Sequence, residues 1–219
     1  MNKSYEEILE AIWKEDEKGS ASIADITKRC PAEISDEDLD ILQKRGLIQR
    51  EGSELKLTFE GRQQARGVVR RHRLAEILFT TVLDLDPEKR ESIACEVEHT
   101  LLPEVEEAIC TLLGHPVVCP DGKKIPPGRC CSAGRSTTAT VVTNLVNLAP
   151  GEKGRITYIK PKKHDRLHRL TSFGLTPGTV IEVHQCSPAF CIRFEGTELA
   201  LNRDVAEDIF VARTTESAE

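Results

Sequence analysis

Apolar positions at the start of the chain recur first with a helical period. Ile8, Leu9, Ile12 and Trp13 form a stripe that stops near Gly19. Ser22 is placed to cap a second short helix through Ile23 and Ile26. Ser35, followed three residues later by Asp38, opens a third helix carrying Leu39, Ile41 and Leu42 in a capping-box-like pattern. Residues 47–50 and 54–58 then flank Glu51-Gly52-Ser53, which predicts a hairpin with glycine in its turn. Three helices followed by a two-stranded wing predict a winged helix-turn-helix over residues 1–65, a module that lays its third helix in the DNA major groove.

From Thr58 to about Leu113 the pattern stays helical. Leu74, Ile77, Leu78 and Leu85 share a stripe, and Pro87 suits the first turn of the next helix. Pro103 opens another, containing Val105, Ile109, Leu112 and Leu113, which Gly114 ends. A helical domain over 66–134 has little core of its own, so its apolar faces predict a homodimer. Its last part, from His115 to Gly134, is rich in Pro and Gly, and a Ser/Thr-rich linker follows over 135–143. Over 144–213 the period becomes alternating. Segments 154–159, 180–183, 190–194 and 198–201 read as short strands between turn signals such as Thr176-Pro-Gly and Glu195-Gly. They predict a small SH3-like β-barrel, and the whole chain a multidomain α+β protein.

Charge and cysteine usage sharpen this outline. The net charge of −6 is uneven: Lys44, Arg45, Arg50, Lys56, Arg62, Arg66, Arg70, Arg71 and Arg73 crowd one segment, while acids gather over 33–40 and at both ends. Local basicity inside an acidic chain points to a surface for polyanions. The eight cysteines follow a polar, acidic N-terminus, and no run is long enough to span a membrane. The expectation is a cytoplasmic protein whose cysteines are thiols or metal ligands, without a disulfide framework and without a membrane partner.

Two groups carry candidate chemistry. On a helix, Glu91, Cys95, Glu98 and His99 fall at i, i+4, i+7 and i+8, on one face, and His72 and Glu76 project from one stripe of the helix before. A thiolate, imidazoles and carboxylates converging between helices suit a divalent transition metal. With no nucleophile–base pair, no phosphate-cradling glycine loop and no HExxH, the metal is expected to be sensed, and the chain is not expected to be an enzyme. The second group is the turn-rich run from Cys119 to Cys130 and Cys131. These three thiols suit Zn(II) or an iron–sulfur cluster if Cys110, Asp121 or His115 adds a fourth ligand; the alternative is a set of reduced loop thiols.

Several runs carry a family resemblance: Leu57-Thr-Phe-Glu-Gly61, Arg71-His72-Arg-Leu-Ala-Glu76, Ala94-Cys95-Glu-Val-Glu98-His99, Leu102-Pro-Glu-Val-Glu-Glu and Leu113-Gly-His-Pro. Through them the first two parts resemble the diphtheria toxin repressor family of metal-dependent transcriptional regulators. The third part resembles a FeoA-type domain through Leu148-Ala-Pro-Gly-Glu, Phe173-Gly-Leu-Thr-Pro-Gly and Leu199-Ala-Leu-Asn-Arg-Asp-Val-Ala.

The resemblance implies a dimeric repressor of metal-homeostasis genes that binds double-stranded operator DNA when loaded with Fe(II), or alternatively Mn(II). It implies a primary site of Cys95, Glu98 and His99 with Glu7, where the iron branch usually has methionine and the manganese branch aspartate. Glu10, one turn on, is also where the manganese branch places a carboxylate. An ancillary site would use His72, Glu76 and Glu91. Carboxylates harden such sites toward Mn(II) or Fe(II), and Cys95 softens the primary one, which favours Fe(II). Lys28, Arg29, Ser35, Lys44 and Arg50 are the expected DNA contacts. Asp36, Glu37, Asp38 and Asp40 run against this, since four carboxylates approaching phosphates are repelled. The alternative is a metal- or redox-sensing interaction protein acting through the FeoA-type domain without conventional DNA binding.

Overall fold

The computed structural model describes residues 2–19, 21–134, 142–162 and 164–214. They form two compact units, Met1–Cys110 with Pro116–Ala133, and Thr111–His115 with Gly134–Glu219.

The first unit opens with α1 (Lys3–Asp16), α2 (Ile23–Arg29) and α3 (Asp36–Lys44). The expected caps form: the Ser22 and Ser35 hydroxyls accept from the Asp25 and Asp38 amides, and the Asp38 carboxylate accepts from the Ser35 amide. Strands β1 (Ile48–Glu51) and β2 (Glu54–Leu57) pair antiparallel with Glu51 opposite Glu54, and Gly52 takes a φ of 62° in the two-residue turn. Ile8, Leu9, Ile12, Ile26, Leu42, Ile48 and Leu55 are fully buried between these elements, so the predicted apolar stripes form one core.

Helix α4 (Phe59–Ile77) starts at Thr58, whose hydroxyl accepts from the Gly61 amide, and runs without a break across position 65. Its first turn lies against the strand β1 end so closely that a Cβ on Gly61 would stand 1.8 Å from the Leu47 carbonyl oxygen. Backbone cannot yield as a side-chain tip does. Gly61→Ala is therefore expected to destabilise the first unit by about 3 kcal/mol, read as an earlier urea midpoint, whereas Gly67→Ala, which meets only the Arg71 side-chain tip at 3.4 Å, leaves that midpoint within about 0.5 kcal/mol or raises it.

A π-helical turn over Leu78–Val82 ends the long helix, and α5 (Pro87–Val97) then starts with proline in its first turn, as expected. Helix α6 (Pro103–Leu112) follows, and Gly114 takes a left-handed φ of 73° behind it. The Pro/Gly-rich stretch leads to α7 (Arg129–Gly134). Three arginines of α4 hold that stretch by its carbonyls: Arg66 to Pro127, Arg70 to Pro126 and Arg73 to Lys124.

The second unit contains β3 (Val142–Asn144), β4 (Lys153–Ile159), α8 (His164–Ser172), β5 (Val180–Gln185), β6 (Phe190–Phe194), β7 (Thr197–Leu201), α9 (Arg203–Ala206) and β8 (Ile209–Arg213). They form a six-stranded antiparallel sheet in the order β3-β8-β4-β5-β6-β7 over a core that includes Leu145, Ile156, Leu175, Ile181, Ile192 and Val211. The four predicted strands are present, and β3 and β8 add to them. The expected closed barrel is corrected: β3 pairs with β8 and β7 with β6, leaving β3 and β7 as the edges of an open sheet. Short strands between turn signals suit either architecture, because closure depends on whether the first and last strands pair. The expected linker falls mostly on 135–141, outside the described residues. Among those described, no helix is long and apolar enough to cross a membrane.

Candidate metal centre

Three helices of the first unit converge on one polar interior. Helix α1 packs on α4, and α4 on α5. Into the space between them α1 sends Glu7 and Glu10, α4 sends His72 and Glu76, and α5 with the turn after it sends Glu91, Cys95, Glu98 and His99. Glu7, Glu10, His72, Glu76 and Glu98 are all at most 4% exposed. Carboxylates are almost never buried so deeply unless a cation joins them.

The donor atoms fall into three overlapping groups, each within 4.8 Å: Glu10, His72, Cys95 and Glu98; Glu7, Glu98 and His99; and His72, Glu76 and Glu91. Every residue expected at the metal is thus brought in, but the partition differs. His72, expected in an ancillary site with Glu76 and Glu91, also faces Glu98 (Nδ1 to Oε2 2.5 Å) and Glu10 (3.7 Å), while its Nε2 lies 3.4 Å from Glu91. His99 Nε2 sits 2.9 Å from Glu7 and 3.2 Å from Glu98. Glu98 and His72 therefore join the groups into one continuous cluster. Spacing along a helix reveals a shared face; it does not reveal which of two adjacent sites a residue at their border serves.

Sequence reasoning missed the supporting residues. Glu6 accepts from His99 Nδ1 at 2.8 Å, fixing the ring so that Nε2 faces the cluster, and Arg71 binds both Glu6 and the Glu98 carbonyl. Lys14 places its ammonium 3.0 Å from Glu10 and 3.8 Å from Glu91, and Arg90 Nε lies 3.7 Å from Glu76. These residues sit one turn from a ligand or beside one, which is the signal available in the sequence.

The cluster's own charges favour protonated imidazoles and carboxyls. Burial disfavours the His72 imidazolium, but Cys95, Glu91 and Glu98 outweigh it and push the pKa up to about 12. The same contact, with His72 as hydrogen-bond partner, holds Glu91 down to about 2. Burial raises Glu98 and Glu76 above the usual carboxylate range. His99 is raised as well: burial opposes it, and Glu6, Glu98 and Glu7 prevail. Even so, Glu7 Oε2 and Glu98 Oε1 are buried and accept no hydrogen bond. Orphaned carboxylate oxygens beside two imidazoles and a thiol fit a divalent cation.

The cysteines partition differently from the expectation. Cys130 and Cys131 meet Cys110, one of the proposed fourth ligands, with Cys110 Sγ 3.7 Å from Cys131 Sγ. Cys119 lies apart, against Glu76 on the metal-centre side. Arg70 Nη2 donates to Cys130 Sγ at 3.3 Å and the Gly128 amide to Cys131 Sγ at 3.4 Å. A Cβ on Gly128 would come within 2.7 Å of the Arg70 guanidinium, so only glycine allows this approach. Burial pushes Cys110 up to about 12 and raises Cys130, whereas for Cys131 the Gly128 amide, Cys110 and Arg70 overcome burial and lower it.

Of the expected DNA contacts, Ser35 is engaged in the α3 cap, Arg29 pairs with Glu15, and Arg50 bridges to Asp36 (3.4 Å) and Asp40 (3.3 Å). Lys28 and Lys44 are exposed.

A short helical module coupled through α1 to a buried carboxylate–imidazole–thiol cluster defines a metal-responsive regulator. Two family models match: the metal-binding and dimerisation domain of iron-dependent repressors over residues 58–127, and the FeoA domain over 143–213. With these two domains in this order the chain resembles the diphtheria toxin repressor family. It is 29% identical over 193 residues to the iron-dependent repressor IdeR of Mycobacterium leprae, covering 83% of each chain. It is 25% identical over 217 residues to the diphtheria toxin repressor of Corynebacterium efficiens, covering 94% of this chain and 93% of that one. A solved manganese-dependent transcriptional repressor in complex with manganese shares the fold, with a TM-score of 0.52 and 22% identity over 96% of this chain and all of the other.

Proposed function

We propose that this chain is a dimeric, metal-dependent transcriptional repressor of metal-homeostasis genes, acting in the cytoplasm with Fe(II), or alternatively Mn(II), as corepressor. The observation that carries the reading is the buried cluster shared by α1 with α4 and α5, whose oxygens Glu7 Oε2 and Glu98 Oε1 accept no hydrogen bond. In this reading α1 to β2 form a winged helix-turn-helix, and the second unit is an SH3-like domain with an open sheet. Exposed Ile93, Leu102 and Val105 on and beside α5 and α6 supply an apolar surface for a second copy.

Glu7, Glu10, His72, Cys95, Glu98 and His99 would hold the activating ion, with Glu76 and Glu91 extending the cluster. A bound divalent ion supplies two positive charges that offset the repulsion among these carboxylates and tie α1 to α4 and α5. Helix α1 packs beneath α2 and β2, so fixing it fixes the module that carries α3. A dimer then presents two such modules at one spacing, matched to successive major grooves.

The test is fluorescence anisotropy on duplexes from upstream of this gene and of iron-transport genes, with Fe(II), Mn(II) or chelator, at one fixed salt concentration. The repressor reading predicts tight binding with metal alone. Metal binding without duplex affinity would instead favour an interaction protein, a reading supported by Arg50 being engaged with Asp36 and Asp40.

The acids of α3 weaken docking in either case. Exchanging Asp36 and Asp40 together for serine is expected to tighten duplex binding about five- to thirty-fold, at about 0.5–1 kcal/mol for each repulsive charge removed. Unchanged affinity would place α3 away from the phosphates.

A further inference from the structure

We infer that Cys110, Cys130 and Cys131 form a second cation site, distinct from the metal centre and suited to a thiophilic ion such as Zn(II). The three sulfurs lie within 4.8 Å of one another on α6 and α7, and Cys110 and Cys131 are buried. Zinc bonded to thiolates at about 2.3 Å in a tetrahedron sets its sulfurs about 3.8 Å apart; Cys110 and Cys131 stand at 3.7 Å. That compactness favours a single ion. In a cubane iron–sulfur cluster each thiolate sits on a different iron, which spreads the sulfurs further.

Most of the thiolate charge is offset as well. A divalent ion offsets two of three thiolate charges, and the Arg70 guanidinium, shared between Cys130 and Glu106 (Nε to Oε1 2.6 Å), faces the third. The Gly128 amide, aimed at Cys131 Sγ, is the kind of N–H donor that steadies a bound thiolate. A water would complete the tetrahedron around an ion held by the three thiolates.

Such a site does structural work. It fastens the end of the Pro/Gly-rich stretch to α6, while Arg66, Arg70 and Arg73 fasten the same stretch to α4, the helix that carries His72 and Glu76. A thiolate-rich site also prefers a softer ion than the carboxylate-rich centre does, so the two select different metals from one pool.

The test uses reduced, full-length Cys95→Ser protein titrated anaerobically with Co(II), so that the thiol of the metal centre contributes nothing. The expected result is a thiolate-to-cobalt charge-transfer band with the visible absorption of tetrahedral cobalt, displaced by Zn(II). Adding Cys130→Ser, a half-buried position where the hydroxyl replaces the thiol with little change of shape, should remove about a third of the band or more while the far-ultraviolet circular dichroism stays unchanged. Absence of the band, or a band that Cys130→Ser leaves intact, would overturn the site. So would ready formation of a Cys110–Cys131 disulfide under mild oxidation with no cobalt band in the reduced protein, which would assign the thiols to redox chemistry.

Discussion

Replacing Glu98 with alanine is expected to abolish the gain in operator affinity that the proposed function assigns to metal. Glu98 is fully buried and is the one residue common to the Glu10–His72–Cys95 and Glu7–His99 groups, so its loss removes a donor from both. Couplings of this kind raise affinity about 5- to 150-fold; in Glu98→Ala the ratio of dissociation constants with chelator and with metal should fall to about one. Because Glu98→Ala also removes a partner 2.5 Å from the buried His72 imidazolium, the near-isosteric Glu98→Gln is measured beside it and is expected to lose the metal response too while staying folded. Lost coupling in a folded Glu98→Gln protein separates a ligand from a merely structural carboxylate. A variant that still responds to metal with an undiminished ratio would exclude Glu98 from the site.

Metal affinity should rise steeply with pH. The metal-free cluster keeps His72 protonated far above neutrality, and His99 is raised too, yet both must be neutral to bind a cation. Binding therefore expels protons, and the sign follows: affinity is lowest in acid and climbs as pH increases. Each proton released adds a factor of about ten per pH unit. With His72 losing one, the dissociation constant for Mn(II), the ion that resists oxidation during the measurement, should fall at least about tenfold per unit between pH 6 and 8, and the raised His99 steepens that slope. Calorimetry in buffers of different ionisation enthalpy counts those protons directly. His72→Gln should flatten the slope by one proton, and a pH-independent affinity would contradict the protonated resting state.

Much of this centre was legible in the sequence, for a physical reason. Cys95, Glu98 and His99 lie within one turn and a half, so helical geometry alone puts them together, and Ser35 with Asp38 announces the start of α3 just as directly. What escaped depends on packing between distant segments. Glu6 and Arg71 act only because α1 lies against α4, and nothing local to either residue marks them as partners of His99 and Glu98. His72 could be assigned to one face but not to one site, since it stands where two groups of donors meet. The thiols show the same limit. Cys119 precedes Cys130 in one loop, yet the chain turns so that Cys110, on a preceding helix, takes its place beside Cys131.

The second unit divides in a similar way. Strands β5 to β7 were evident because consecutive strands announce themselves by alternation and by turns such as Glu195-Gly196, both with positive φ. Strand β8 pairs with β4 and β3, fifty or more residues upstream, and that pairing makes it a strand. Closure of the sheet was beyond reach for the same reason.

The most direct measurement is an anomalous difference map from crystals of the Mn(II)-loaded protein collected on both sides of the manganese edge. Strong peaks bonded by Glu7 or Glu10 of α1 together with His72, Glu98 and His99 are the predicted result, since the account rests on an ion that joins α1 to α4 and α5. Manganese bound without any ligand from α1, or absent from this cluster altogether, would contradict it.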